Sequence, residues 1–136
     1  MRAVLVDAGP LVALLDRSDA EHQRVEAVLD GISDPLVTVW PAVVEAMYLL
    51  AFSWQAQEAM LEILETGAVR LLSLDETDVP RIKQLMVKYR DLPMDFADAA
   101  LVRVAERHGL RRVLTLDQRD FSVYRLPRKG RFTLLP

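Results

Sequence analysis

The chain has 136 residues, 51% of them hydrophobic and 27% charged, which is enough for one compact unit with a core of its own. It has no cysteine, so disulfides and thiolate metal sites are excluded, and its net charge of -3 does not suggest a polyanion binder. Asp7 and Asp16 interrupt the first apolar run too early for a secretory signal, and no uncharged stretch approaches a membrane span, so a cytoplasmic protein without membrane contact is expected.

In chain order, Ala3-Val4-Leu5-Val6 reads as a strand buried on both faces, ended by Asp7. Gly9-Pro10 reads as a turn, and Leu11, Val12, Leu14 and Leu15 as the apolar face of a short helix. Ser18 or Asp19 is placed to cap a second helix running to about Asp30. Leu36 to Trp40 is a second strand, and Pro41 opens a helix through Leu50. A helix from about Gln55 to Glu65 stops at Gly67. Val69 to Leu74 is a third strand, and Asp75-Glu76-Thr77-Asp78 reads as the capping sequence of a helix running to about Tyr89. Ala99, Leu101, Val102 and Ala105 recur at helical spacing between Asp95 and Gly109. Arg112 to Leu116 is a fourth strand, and Arg131 to Leu135 a short last one. Nearly all-apolar strands alternating with helices predict an α/β three-layer sandwich. Its central sheet is mostly parallel with four or five strands, in a single domain over 1–136.

Ligands of such sheets bind beyond the carboxyl ends of the strands, where Asp7 and Asp117 fall. Asp95 or Asp98 on the next helix and Glu45, one turn into the helix after the second strand, complete a candidate acidic pocket. Each acid has a plainer role as well. Asp95 fits the N-cap of its helix and Asp98 its first turn, while Asp117 and Asp120 fit a turn after a strand. Glu45 lies among apolar neighbours, where an ionised carboxyl is costly unless paired or bound to a metal, so a dry or cleft position is expected for it. Several carboxylates at short range repel unless a cation joins them, and oxygen-only donors select magnesium (Mg2+) or manganese (Mn2+). His22 and His108 sit at positions that read as exposed, so zinc is not expected. Hard divalent ions held this way can activate water against a phosphodiester.

Charge distribution adds a second feature. From Arg103 to Arg131 the chain carries nine basic residues against Glu106, Asp117 and Asp120, a balance compatible with phosphate contact or with a solvated helix face and tail. Trp40, Met47, Tyr48, Phe52, Trp54, Met60 and Leu61 fall on two consecutive apolar helices and fit either a core stripe or a partner groove.

Four blocks together resemble the PIN-domain family, most closely its VapC-type toxins. They are Val6-Asp7-Ala8-Gly9-Pro10-Leu11, Pro41-Ala42-Val43-Val44-Glu45, Asp98-Ala99-Ala100-Leu101-Val102-Arg103-Val104-Ala105 and Thr115-Leu116-Asp117-Gln118-Arg119-Asp120-Phe121. The resemblance implies a metal-dependent endoribonuclease, the toxin of a toxin-antitoxin pair, that cleaves an RNA substrate. It also implies silencing by a cognate antitoxin and assembly as a homodimer. By the same resemblance Asp7 and Asp98 are direct metal ligands, Asp117 completes the ion site, and Glu45 positions a second ion or the attacking water. Asp95 is an extra acid relative to the commonest pattern, and Asp98 is favoured because Ala99 to Ala105 aligns from it. A non-catalytic binding or scaffold protein of the same fold is the alternative. A phosphoaspartate domain fits less well, since Ala8-Gly9-Pro10 follows Asp7 and no lysine stands at a strand end. A dinucleotide fold lacks its glycine-rich loop.

Overall fold

The computed structural model describes all residues, Met1–Pro136. Five strands form one sheet in the order β3-β2-β1-β4-β7: β1 (Val4–Val6), β2 (Leu36–Thr38), β3 (Val69–Leu71), β4 (Arg112–Leu114) and β7 (Thr133–Leu135). Every neighbouring pair is parallel. Parallel strands need crossovers, and helices supply most of them: α1 (Ala8–Leu15), α2 (His22–Asp30), α3 (Trp40–Leu49), α4 (Trp54–Glu65), α5 (Val79–Lys88) and α6 (Phe96–His108). A hairpin of β5 (Arg125–Leu126) and β6 (Gly130–Arg131) lies outside the sheet, after α7 (Gln118–Val123).

Alternation along the strands builds two cores from one sheet. Val4, Val6 and Leu114 face Leu11, Val25, Val43 and Met60 of α1 to α4. Leu5, Val37 and Val113 face Ile82, Leu85, Leu101 and Val104 of α5 and α6, together with Phe121, Tyr124 and Phe132. The result is the expected three-layer α/β sandwich, with a sheet that is parallel throughout. No helix is long and apolar enough to cross a membrane.

Several local expectations change. Gly9 and Pro10 do not form a turn: α1 begins at Ala8, and Pro10 sits in the first helical turn, where its missing N–H costs no hydrogen bond. Trp40 opens α3 rather than closing β2. Asp19 accepts from the Glu21 amide ahead of α2, which starts only at His22. The capping sequence at Asp75 does form a reciprocal box: Asp75 accepts from the Thr77 amide and donates its own amide to Asp78 Oδ2 at 3.1 Å. It heads a 3-10 turn, Glu76–Asp78, that leads into α5. Gly109 ends α6 with φ of 66°, the left-handed conformation that closes many helices.

Candidate functional site

Register assembles the site. Val6 pairs with Leu114, and the Asp7 amide donates to the Leu114 carbonyl at 3.0 Å, so the residues leaving β1 and β4 lie side by side at one sheet edge. Asp7 caps α1 there, with Oδ1 accepting from the Ala8 amide at 2.8 Å and Oδ2 from Thr115 Oγ1 at 2.9 Å. The same Thr115 hydroxyl accepts from the Asp117 amide at 3.0 Å, tying the two strand ends together.

The N-terminus of α6 points into this edge. Asp95 is its N-cap, accepting from the Asp98 amide at 2.8 Å. One turn on, Asp98 is buried and accepts at Oδ2 from the Tyr124 hydroxyl at 2.8 Å. Tyr124 is held by edge-on packing against Tyr89 and Phe121, with ring centroids 5.0 and 5.1 Å away.

Asp117 and Asp120 are not turn residues. Asp117 is the N-cap position of α7 and Asp120 lies in its first turn, so the helix carries both toward α6. Asp98, Asp117 and Asp120 each offer a carboxylate oxygen within 4.8 Å of the others. Asp120 was outside the expected ligand set, although its spacing of three from Asp117 is a helical signal. Thr115 and Tyr124 were not expected at all. Thr115 is traceable to its place between a buried strand and Asp117, whereas Tyr124 carries no sequence signal.

Of the dry or cleft positions expected for Glu45, the structure gives the cleft: exposed on α3, it lines with Asp95 a hollow of about 470 Å³ rimmed by Trp40, Val44 and Phe96. It still feels the other acids: partial burial and then the charges of Asp95, Asp7 and Asp117 raise its pKa. Asp7 is raised by burial against the hydrogen bonds from Ala8 and Thr115, with Asp95 and Asp117 adding to the rise. Burial and then the adjacent Asp120 raise Asp117. Asp98 is pushed up to about 8, by burial first, against the Tyr124 hydrogen bond, and then by Asp7, Asp95 and Asp117. None of these acids is in a salt bridge. Clustered, partly desolvated carboxylates without a positive partner, offering only oxygen donors, fit a hard divalent cation.

The histidines lie apart from the cluster. His22 is part-buried, its Nδ1 donating to the Ala13 carbonyl at 2.7 Å. The basic third is less free than its sequence suggests, since Arg103 and Arg107 bind Asp78, and Arg112 pairs with Asp34. Of the residues read as a core stripe or groove, Met60 is core and Met47 half-buried. Trp40, Tyr48, Phe52, Trp54 and Leu61 are exposed.

The chain matches the PIN domain family over residues 4–126 and belongs to it. Within that family it is 34% identical over 135 residues to Ribonuclease VapC26 of Mycobacterium tuberculosis, covering 98% of this chain and 100% of that protein. Among solved structures it resembles VapC20 of Mycobacterium tuberculosis, described as a sarcin-ricin loop cleaving toxin. The TM-score is 0.74 at 19% identity, over 81% of this chain and 86% of that one. It also resembles the DNA-bound VapBC of Salmonella typhimurium, with a TM-score of 0.66 at 21% identity over 98% of both chains. At those identities the two structures bear on the fold alone.

Proposed function

We propose that this protein is the endoribonuclease toxin of a toxin-antitoxin pair, acting in the cytoplasm on RNA phosphodiester bonds with Mg2+ or Mn2+. The observation that carries the reading is the convergence of Asp98, Asp117 and Asp120 beside buried Asp7, in a chain 34% identical to a VapC ribonuclease. Asp98, Asp117 and Asp120 would hold the ion directly, with Asp7 adjoining them and Glu45 reaching in from α3. The bound ion supplies a lowered water pKa and neutralises charge at the phosphate.

The chain's own residues do the rest. Tyr124 occupies one oxygen of Asp98 and so fixes which oxygen faces the pocket, a supporting role that sets ligand orientation. Thr115 does the same for Asp7 and, through the Asp117 amide, keeps the two strand ends in register. Asp95 spends one oxygen on capping α6, and its charge raises Asp98 and Glu45. Glu45, exposed and with a raised pKa, is suited to orient the attacking water and accept its proton. The exposed ridge of Trp40, Val44, Tyr48, Phe52 and Trp54 is the surface we assign to the antitoxin and to a second copy of the chain.

The test is cleavage of a structured RNA by the purified protein with Mg2+ or Mn2+, beside a chelated sample and Asp98→Asn. Cuts that vanish in both controls support the proposal. Cleavage that persists in chelator overturns its metal-dependent part.

A further inference from the structure

Away from the acids, a cleft of about 830 Å³ runs between α5, α6 and the β5–β6 hairpin. Its walls carry Arg81, Lys88, Arg103, Arg125, Lys129 and Arg131 against a single carboxylate, Glu106. Three of these cations are committed. Arg81 grips Glu106 at 2.7 Å, Arg103 reaches Asp78 at 2.8 Å, and the Arg125 guanidinium donates to the Ser122, Val123 and Tyr124 carbonyls. Lys88, Lys129 and Arg131 are exposed and form no ion pair. On a chain of net charge -3, that is a concentrated, unneutralised positive field.

The hairpin is built to keep it there. Arg128 and Lys129 have φ of 62° and 61°, the left-handed region where glycine or asparagine is least strained. Two long cations occupy the turn instead, and the second of them lines the cleft. Strained backbone of this kind persists only where the surrounding structure over-determines it, and it clusters at ligand clamps and active sites.

The cleft and the acidic pocket draw on the same two segments, α6 and the stretch that follows α7. Arg103 follows Asp98 by five residues on α6, roughly 7.5 Å along the axis. Arg125 directly follows Tyr124, whose hydroxyl is on Asp98. A polyanionic substrate is repelled by the acids and needs attraction elsewhere, which remote binding energy can supply. We infer that this cleft anchors RNA backbone phosphates a few nucleotides from the cleaved bond. The inference rests on the nuclease reading for its substrate class and names where that substrate is gripped.

The experiment measures binding of the full chain, in chelator, to a labelled RNA of about 15 nucleotides across a salt series. Wild type is compared with Lys88→Gln/Lys129→Gln/Arg131→Gln and with a charge-matched control, Arg17→Gln/Arg24→Gln/Arg70→Gln. All six positions are exposed, so both variants keep the fold. The cleft variant is expected to bind on the order of tenfold more weakly, with a log–log salt slope shallower by about 2, while the control changes little. With Mg2+, the cleft variant is expected to cleave a trinucleotide as wild type does and to show a raised KM, with kcat kept, on long RNA.

Wild-type affinity and slope in the cleft variant overturn the inference, as does an equal loss in the control. Poly-glutamate is titrated in parallel as an acidic-protein probe: its loss in the cleft variant with RNA binding intact also overturns the inference, since the cleft then serves an acidic protein. Wild type that fails to cut the trinucleotide counts against the nuclease reading alone, because the binding result is obtained without cleavage.

Discussion

Asp98 is asked both to be buried and to be charged. It is only 6% exposed, and burial with the neighbouring acids lifts its pKa to about 8 from an ordinary 3.8. A folded pKa above the unfolded one stabilises below about pH 4, and that stability is lost as pH rises through about 8. Metal-free Asp98→Asn is therefore expected to melt higher than wild type near pH 8 and little differently near pH 4, as thermal scans at the two pH values will record. The same variant is expected to lose more than about 100-fold in RNA cleavage. Tyr124→Phe, which removes only the group orienting the ligand, is expected to lose about 10- to 100-fold. Asp95→Asn separates the neighbouring acids: asparagine caps as well as aspartate, so stability should hold within about 0.5 kcal/mol and activity should fall less than in Asp98→Asn. Equal losses in the two asparagine variants would mean that Asp95 acts as a ligand rather than a cap. Of the acids named from sequence, Asp98 and Asp117 converge with Asp120, Asp7 is tied to Asp117 through Thr115, and Glu45 lines a hollow with Asp95. Asp7 and Asp117 were legible as strand ends and Asp98 as a helix start. Asp120 and Tyr124 escaped because both depend on α7, six residues that a turn reading hides.

Between elements, the most committed interaction is at Asp78, where the 3-10 turn meets α6. Its carboxylate is 1% exposed and receives Arg103 Nε at 2.8 Å and Arg107 Nη1 at 2.7 Å, while the other Arg107 amino group donates to the Ser73 carbonyl. Burial works to raise its pKa, but the hydrogen bonds from Arg103, the Asp75 amide and Arg107 outweigh it and hold the group at about 2. The sign is opposite to that of Asp98. This stabilisation is complete above about pH 4 and is lost as pH falls through about 2. Asp78→Asn is expected to cost about 3 kcal/mol at neutral pH, the low end for a broken buried pair because both arginines stay part-exposed. Urea denaturation at pH 7 and pH 2.5 will show that cost and its shrinkage in acid. Gly109→Ala, at φ of 66° with nothing within 4 Å of the added methyl, is expected to cost about 1 kcal/mol through backbone strain alone. The capping box at Asp75 and the stop at Gly109 were readable because caps are local. The partners of Asp78 were not, since they lie 25 and 29 residues away.

At the scale of the molecule, the alternation of apolar runs with helices disclosed the layers, while the surface was only half readable. A basic C-terminal third is a statement about sequence. Folding buries part of that charge in pairs at Asp78 and Asp34, and adds Lys88 from α5 to what remains. The apolar stripe was ambiguous for a related reason. Helical spacing says which residues share a face but not whether another layer covers it. The structure leaves Tyr48 79%, Phe52 69%, Trp54 66% and Trp40 55% exposed. Aromatic side chains bury about 150–250 Å² each when covered, so this ridge matches or exceeds the largest apolar patch usual on a monomer. Aromatic anchors at interfaces cost about 2 kcal/mol or more apiece when truncated. Tyr48→Glu/Trp54→Glu is therefore expected to weaken antitoxin capture and self-association by about a thousandfold, read by sedimentation and by co-purification with the antitoxin. Neither side chain hydrogen-bonds to the acids or is assigned a part in holding the ion, so cleavage of RNA by the isolated variant should stay close to wild type. An enzyme that still cuts but is no longer silenced is the outcome that places the partner on this ridge. Unchanged assembly and capture would move it elsewhere.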